Sequence, residues 1–145
     1  QNHIDMLEKV QKRATKIISG FGDLSYSQRL AKLRLPTLVY RRLRGDMIET
    51  YKITHELYDK ECCSVVFQEI NKKTTGHSFK RCARFARKNV RHHCFTIRVV
   101  EVWNSLPYNV VEAPSVNAFK NRLDKFWSKQ EILTDYKAKL DLSKN

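Results

Sequence analysis

Nine cations, Lys72, Lys73, Lys80, Arg81, Arg84, Arg87, Lys88, Arg91 and Arg98, stand between Glu69 and Glu101 with no acid among them. His77, His92 and His93 share this stretch, and Phe79, Phe85 and Phe95 are interleaved. Lys and Arg pair with phosphates and release condensed counterions, while aromatic rings stack on unpaired bases. The pattern therefore points to phosphate contact by the cations, against the plainer reading of a solvated basic face. The Phe residues are expected to pack inward instead. Arg41, Arg42 and Arg44 form a second basic group. Their spacing spreads them over more than one helix face, so phosphate contact and simple solvation suit them equally.

Other chemistries find less support. Structural zinc sites show two close-spaced ligand pairs. Cys82 stands alone, His93 and Cys94 are adjacent, and Cys62-Cys63 joins them only by folding back. No metal or cofactor is expected, and the thiols read as reduced. No Ser or Cys sits between glycines in an elbow, and four glycines make no phosphate loop. Two-metal nucleotidyl transfer needs clustered carboxylates. Here the Asp and Glu residues are dispersed, so no catalytic residue is assigned and an autonomous enzyme is not expected.

The elements that must carry these residues read as mainly α. Leu7, Val10, Ala14, Ile17 and Ile18 make one apolar stripe on a first helix near 3–19. That stripe calls for a covering surface. Gly20 and Gly22 end the helix, and Ser25 with Gln28 spells a capping box for a short second one. Pro36 suits the first turn of a third helix near 37–57, with Gly45 inside it at a cost of about 1 kcal/mol relative to Ala. A close-packed neighbour would explain that glycine, and so would chance. A short helix is expected near 65–70, and one β-hairpin near 79–94. Phe95, Val99, Val102, Trp103 and Leu106 follow helical spacing up to Pro107, against a strand reading of Phe95, Ile97 and Val99. Ser115 caps a last helix near 115–128 bearing Phe119, Leu123 and Trp127. Trp103, Phe119, Leu123 and Trp127 should be buried.

The chain has 145 residues, 41% of them hydrophobic, and 28 Lys and Arg against 15 Asp and Glu give a net charge of +13. A polyanionic partner would relieve that self-repulsion; nucleic acid, RNA or DNA, is the commonest and an anionic membrane surface the next candidate. No window approaches the roughly 18 apolar residues of a membrane span, and no membrane partner is expected. The start is polar and lacks Met, which suggests a fragment or processed product of a nuclear or cytoplasmic protein. Residues 1–128 read as a single basic helical region, and 129–145 as a polar tail that frays.

Several blocks resemble a known family. Leu7-Glu8-Lys9-Val10-Gln11-Lys12-Arg13-Ala14-Thr15-Lys16 is similar to the helix after the thumb of LINE-type, non-LTR retrotransposon reverse transcriptases of the jockey and chicken-repeat kind. Leu24-Ser25-Tyr26, Arg29-Leu30, Leu35-Pro36-Thr37-Leu38 and Tyr40 to Ile48 resemble the next segment. His77-Ser78-Phe79, Arg98-Val99-Val100, Trp103-Asn104-Ser105-Leu106-Pro107 and Ala113-Pro114-Ser115-Val116-Asn117 with Phe119-Lys120 and Arg122-Leu123-Asp124 continue it. The likeness covers most of residues 7–127 and leaves out 58–75. It implies the C-terminal region of an RNA-directed DNA polymerase, partnered with the upstream polymerase domain of the same polyprotein. The family's Tyr/Phe-x-Asp-Asp motif and its endonuclease have no counterpart here, nor does the CCHC knuckle of some relatives. The expected role is thus non-catalytic holding of template RNA or target DNA. The alternatives are a structural buttress of the thumb and a domesticated DNA-binding module.

Overall fold

A capping box opens the second helix as its sequence foretells. Ser25 N–H donates to Gln28 Oε1 at 2.9 Å, and Gln28 N–H returns a bond to Ser25 Oγ at 3.3 Å. The computed structural model describes residues 2–61, 63, 67–69, 77–82 and 94–142 and is mainly helical. In chain order the elements are α1 (Asn2–Ile17), α2 (Tyr26–Leu33), α3 (Leu38–Thr54), β1 (Gln68–Glu69), β2 (Arg81–Cys82), α4 (Phe95–Arg98), α5 (Val100–Asn104), α6 (Tyr108–Val111) and α7 (Val116–Phe126), followed by a 3-10 turn at Glu131–Leu133.

The chain divides into two compact units, Gln1–Leu43 with Ser128–Asp141, and Arg44–Trp127 with Leu142–Asn145. The boundary between the two units falls within α3. In the first unit Leu30, Tyr40 and Ile132 are buried together with the polar Glu8, Thr15, Arg29 and Thr37. Thr37 caps α3, its Oγ1 accepting from Tyr40 N–H at 3.2 Å while its hydroxyl donates to the Ile132 carbonyl at 2.6 Å. The cap is therefore one residue past Pro36. The same bond ties down the segment expected to fray: Ile132 is buried, and Gln130 and Asp141 exchange two hydrogen bonds of 3.0 Å. Ile132 and Leu133 form a lone apolar pair in a polar segment of only weak helical pattern, too short a signal to show this.

The second unit gathers the large apolar side chains. Trp103, Phe119 and Leu123 are fully buried and Trp127 is 1% exposed, joined by Met47, Tyr51, Val99, Val110 and Val111. Each such burial contributes about 1.5–3 kcal/mol. Ser115 caps α7 by accepting from Ala118 N–H at 3.2 Å. The stripe is helical from Phe95 to Trp103, as α4 and α5 with a break at Val99, and Leu106 lies past the end of α5. β1 and β2 pair antiparallel, Gln68 opposite Cys82 and Glu69 opposite Arg81. Gln68 and Glu69 are therefore strand where a short helix was expected. The hairpin expected within 79–94 lies mostly outside the described residues, and β2 takes its partner from before it. Asn104 holds β2 as a further strand would, accepting from Arg81 N–H and donating to the Arg81 carbonyl, both at 2.9 Å.

Candidate nucleic-acid interface

The twelve basic residues singled out in the sequence fall into three sets. Lys72, Lys73, Arg84, Arg87, Lys88 and Arg91 lie outside the described residues. Arg41 and Arg42 are exposed on the first turns of α3. The remaining four are built into the second unit. Arg44 forks onto Asp124, with Nε to Oδ1 at 2.6 Å and Nη2 to Oδ2 at 2.8 Å. Arg98 forks onto Asp46. Lys80 and Arg81 are half-buried, Arg81 within β2 with Nη2 3.5 Å from the Thr54 carbonyl. Arg44 and Arg98 are spent on carboxylates at bidentate geometry, which a phosphate would have to displace.

A different basic site emerges in the first unit. Lys9, Lys12, Arg13 and Lys16 recur along α1 at helical spacing, and all four are exposed. With Gly22, Leu24, Ser25, Tyr26 and Arg29 they line a cleft of about 620 Å³ between α1 and α2, and no carboxylate is among its walls. The sequence carried this signal in the 9, 12, 13, 16 spacing, which runs beside the apolar stripe of Leu7, Val10, Ala14 and Ile17.

Arg29 closes the cleft from α2 and is only 3% exposed. Its guanidinium donates to Thr15 Oγ1 at 3.2 Å, to the Lys12 carbonyl at 3.5 Å and to the Leu24 carbonyl. All three acceptors are neutral, so the charge keeps its field in a place that water screens poorly. Asp23, between Gly22 and Leu24, is exposed but is not among the walls, and the acid of α1 that faces α2 is buried and bonded. Glu8, 2% exposed, accepts from Tyr26 Oη at 2.7 Å and from Leu38 N–H at the start of α3 at 3.2 Å. A carboxylate there suits the positive end of the helix. Burial first, and then the bond to Glu8, push the Tyr26 hydroxyl well above its ordinary titration range. Gln11 completes the fastening through Tyr26 Oη and the Pro36 carbonyl, both at 3.1 Å.

Among the described residues no three His, Cys, Asp or Glu side chains converge as metal ligands. Cys63 is a buried free thiol, and Cys82 and Cys94 are exposed free thiols. Phe79 and Phe95 are half-buried, their rings 4.7 Å from His55 and 6.0 Å from Phe67. No helix among the described residues is long and apolar enough to cross a membrane. Set beside protein-family models, curated proteins and solved structures, the chain matches none of them.

Proposed function

We propose that this chain holds nucleic acid without catalysing a reaction, as the C-terminal region of a non-LTR retrotransposon reverse transcriptase. The observation that carries the holding role is the acid-free cleft of Lys9, Lys12, Arg13 and Lys16 over the buried Arg29. Exposed cations at successive helical turns meet successive phosphates, and each contact releases counterions. The exposed Arg41 and Arg42 and the acid-free run around 72–98 add to the chain's net positive charge. The retrotransposon origin rests on the resemblance of the Trp103 to Pro107 and Ser115 to Asp124 blocks. The upstream polymerase domain would supply the chemistry.

A second reading has its own observation. Arg44 and Arg98 are consumed in internal ion pairs, as a purely structural buttress would use them. Titrating salt into complexes of the chain with fluorescein-labelled RNA, single-stranded DNA and duplex DNA separates the two. Holding by charge gives a log–log salt slope of several units, about 0.9 per phosphate neutralised on duplex and about 0.7 on single strands. Absence of binding to all three at low salt would leave only the buttress.

A further inference from the structure

Helix α1 is turned inside out. A surface helix ordinarily buries its apolar stripe and shows its polar face to water. Here the buried positions are Glu8 and Thr15, fastened with Gln11 to α2 and the start of α3, and the apolar stripe is bare. Met6, Leu7, Val10, Ile17 and Ile18 are 56%, 61%, 66%, 85% and 42% exposed. Leu7, Val10, Ala14 and Ile17 are spaced three, four and three apart, the a/d seam of a coiled coil. Ala14 at the middle leaves room for another helix to come close.

We propose that this seam docks an amphipathic helix of another polypeptide whose flanks carry Asp or Glu. Charge selects that occupant. The seam is bordered on one side by Arg13 and Lys9, and on the other by Gln11 of the anchoring face. Asp5 lies round the helix from it, and Glu8 is buried. A second copy fits poorly: antiparallel two-fold packing sets the Arg13 edge against its own symmetry mate. A bilayer surface favours a broad face with Trp, Phe or Leu, whereas this seam is narrow and has no aromatic residue. The docking shares Lys9 and Arg13 with the cationic cleft but not its apolar seam, so the Leu7 and Ile17 changes test it apart from the nucleic-acid reading.

The test is fluorescence anisotropy on the full chain with two labelled designed helices of about three heptads, Leu at a and d. One carries Glu at e and g, the other Lys. The Glu helix should bind about tenfold or more tighter than the Lys helix at low salt. Leu7→Ser with Ile17→Ser, both at exposed positions, should weaken it by a similar factor while circular dichroism and RNA binding stay as in the parent. Arg13→Glu should reverse the preference between the two helices. Equal binding of both helices, or binding indifferent to the Leu7 and Ile17 changes, would overturn the proposal. So would self-association, or co-sedimentation with phosphatidylserine-containing vesicles, that the same double variant abolishes.

Discussion

Asp46 on α3 receives both arms of Arg98 from α4, Nε to Oδ2 at 2.9 Å and Nη2 to Oδ1 at 2.7 Å. The Asp46 side chain is only 12% exposed, so the pair is shielded on one side. Two residues earlier on α3, Arg44 reaches Asp124 on α7. One helical turn thus presents opposite charges to two different helices. Asp46→Ala should cost about 1.5–3 kcal/mol, the range for hydrogen bonds to charged groups. Arg98→Lys should recover little, because an ammonium cannot make the fork. In a double-mutant cycle read by urea denaturation, Asp46→Ala and Arg98→Ala should couple; strict additivity would show that the pair contributes nothing.

Gly45 lies between those two anchors, and a Cβ built on it would meet nothing within 4 Å. Among the described residues no close-packed neighbour accounts for it, so the glycine only adds freedom to the unfolded chain. Gly45→Ala should stabilise by about 0.5–1 kcal/mol, raising Tm by roughly 2–4 °C for a chain of this size. A fall in Tm would mean that α3 uses the bare backbone there for a contact not made within this chain.

His77 is buried and donates Nε2–H to the Trp103 carbonyl at 3.1 Å, which fixes its tautomer because a carbonyl can only accept. Burial, opposed by that bond and aided by the nearby charges of Lys80 and Arg81, holds its pKa below the ordinary 6.5. The unfolded chain then takes up a proton that the folded chain refuses. His77's contribution is fully present above pH 6.5 and is lost as pH falls from there towards the lower folded value. His77→Gln keeps a donor in place of Nε2 and does not titrate. Its Tm should fall less steeply between pH 7.5 and 5.5 than the parent's. Parallel curves would place the pH dependence elsewhere.

The second unit's core was legible in the sequence because large apolar residues at helical spacing admit few other uses. Trp103, Phe119, Leu123 and Trp127 are buried as that argument requires. Trp103→Ala should cost about 3–5 kcal/mol, since it also strips a 2.8 Å bond from the Phe79 carbonyl. A cost below about 1 kcal/mol would indicate that the site collapses around the gap. Local caps were legible too, since Ser25, Gln28 and Ser115 act within three residues. What stayed hidden depends on distant partners. The polar face of α1 is buried because Tyr26, Arg29 and the α3 N-terminus satisfy it, and no periodicity reveals such bonds. Arg44 and Arg98 looked like surface cations because their carboxylates are 80 and 52 residues away. The α1 cations were visible as residues, but their convergence on Arg29 across a cleft was not.

If the cleft grips phosphate, its charges should set the salt dependence of binding while leaving the fold intact. Lys9, Lys12, Arg13 and Lys16 are exposed, so replacing all four by Gln removes charge without opening a core. The log–log salt slope on duplex DNA should flatten by roughly two to four units, at about 0.9 for each phosphate that is no longer neutralised. Arg84, Arg87 and Lys88 offer a second set, chosen from the acid-free run on charge alone. Their joint replacement by Ala should flatten the slope by roughly two to three units, similarly across unrelated sequences. Arg44→Gln and Arg98→Gln are the informative controls. Their guanidiniums are committed to Asp124 and Asp46, so these variants should lower Tm and leave the slope unchanged. Circular dichroism on each variant separates a binding defect from a folding defect. If the folded α1 variant and the folded Ala triple variant both keep the parent's affinity and slope, these cations are a solvated face. The holding role would then fall, and the buttress reading would stand in its place.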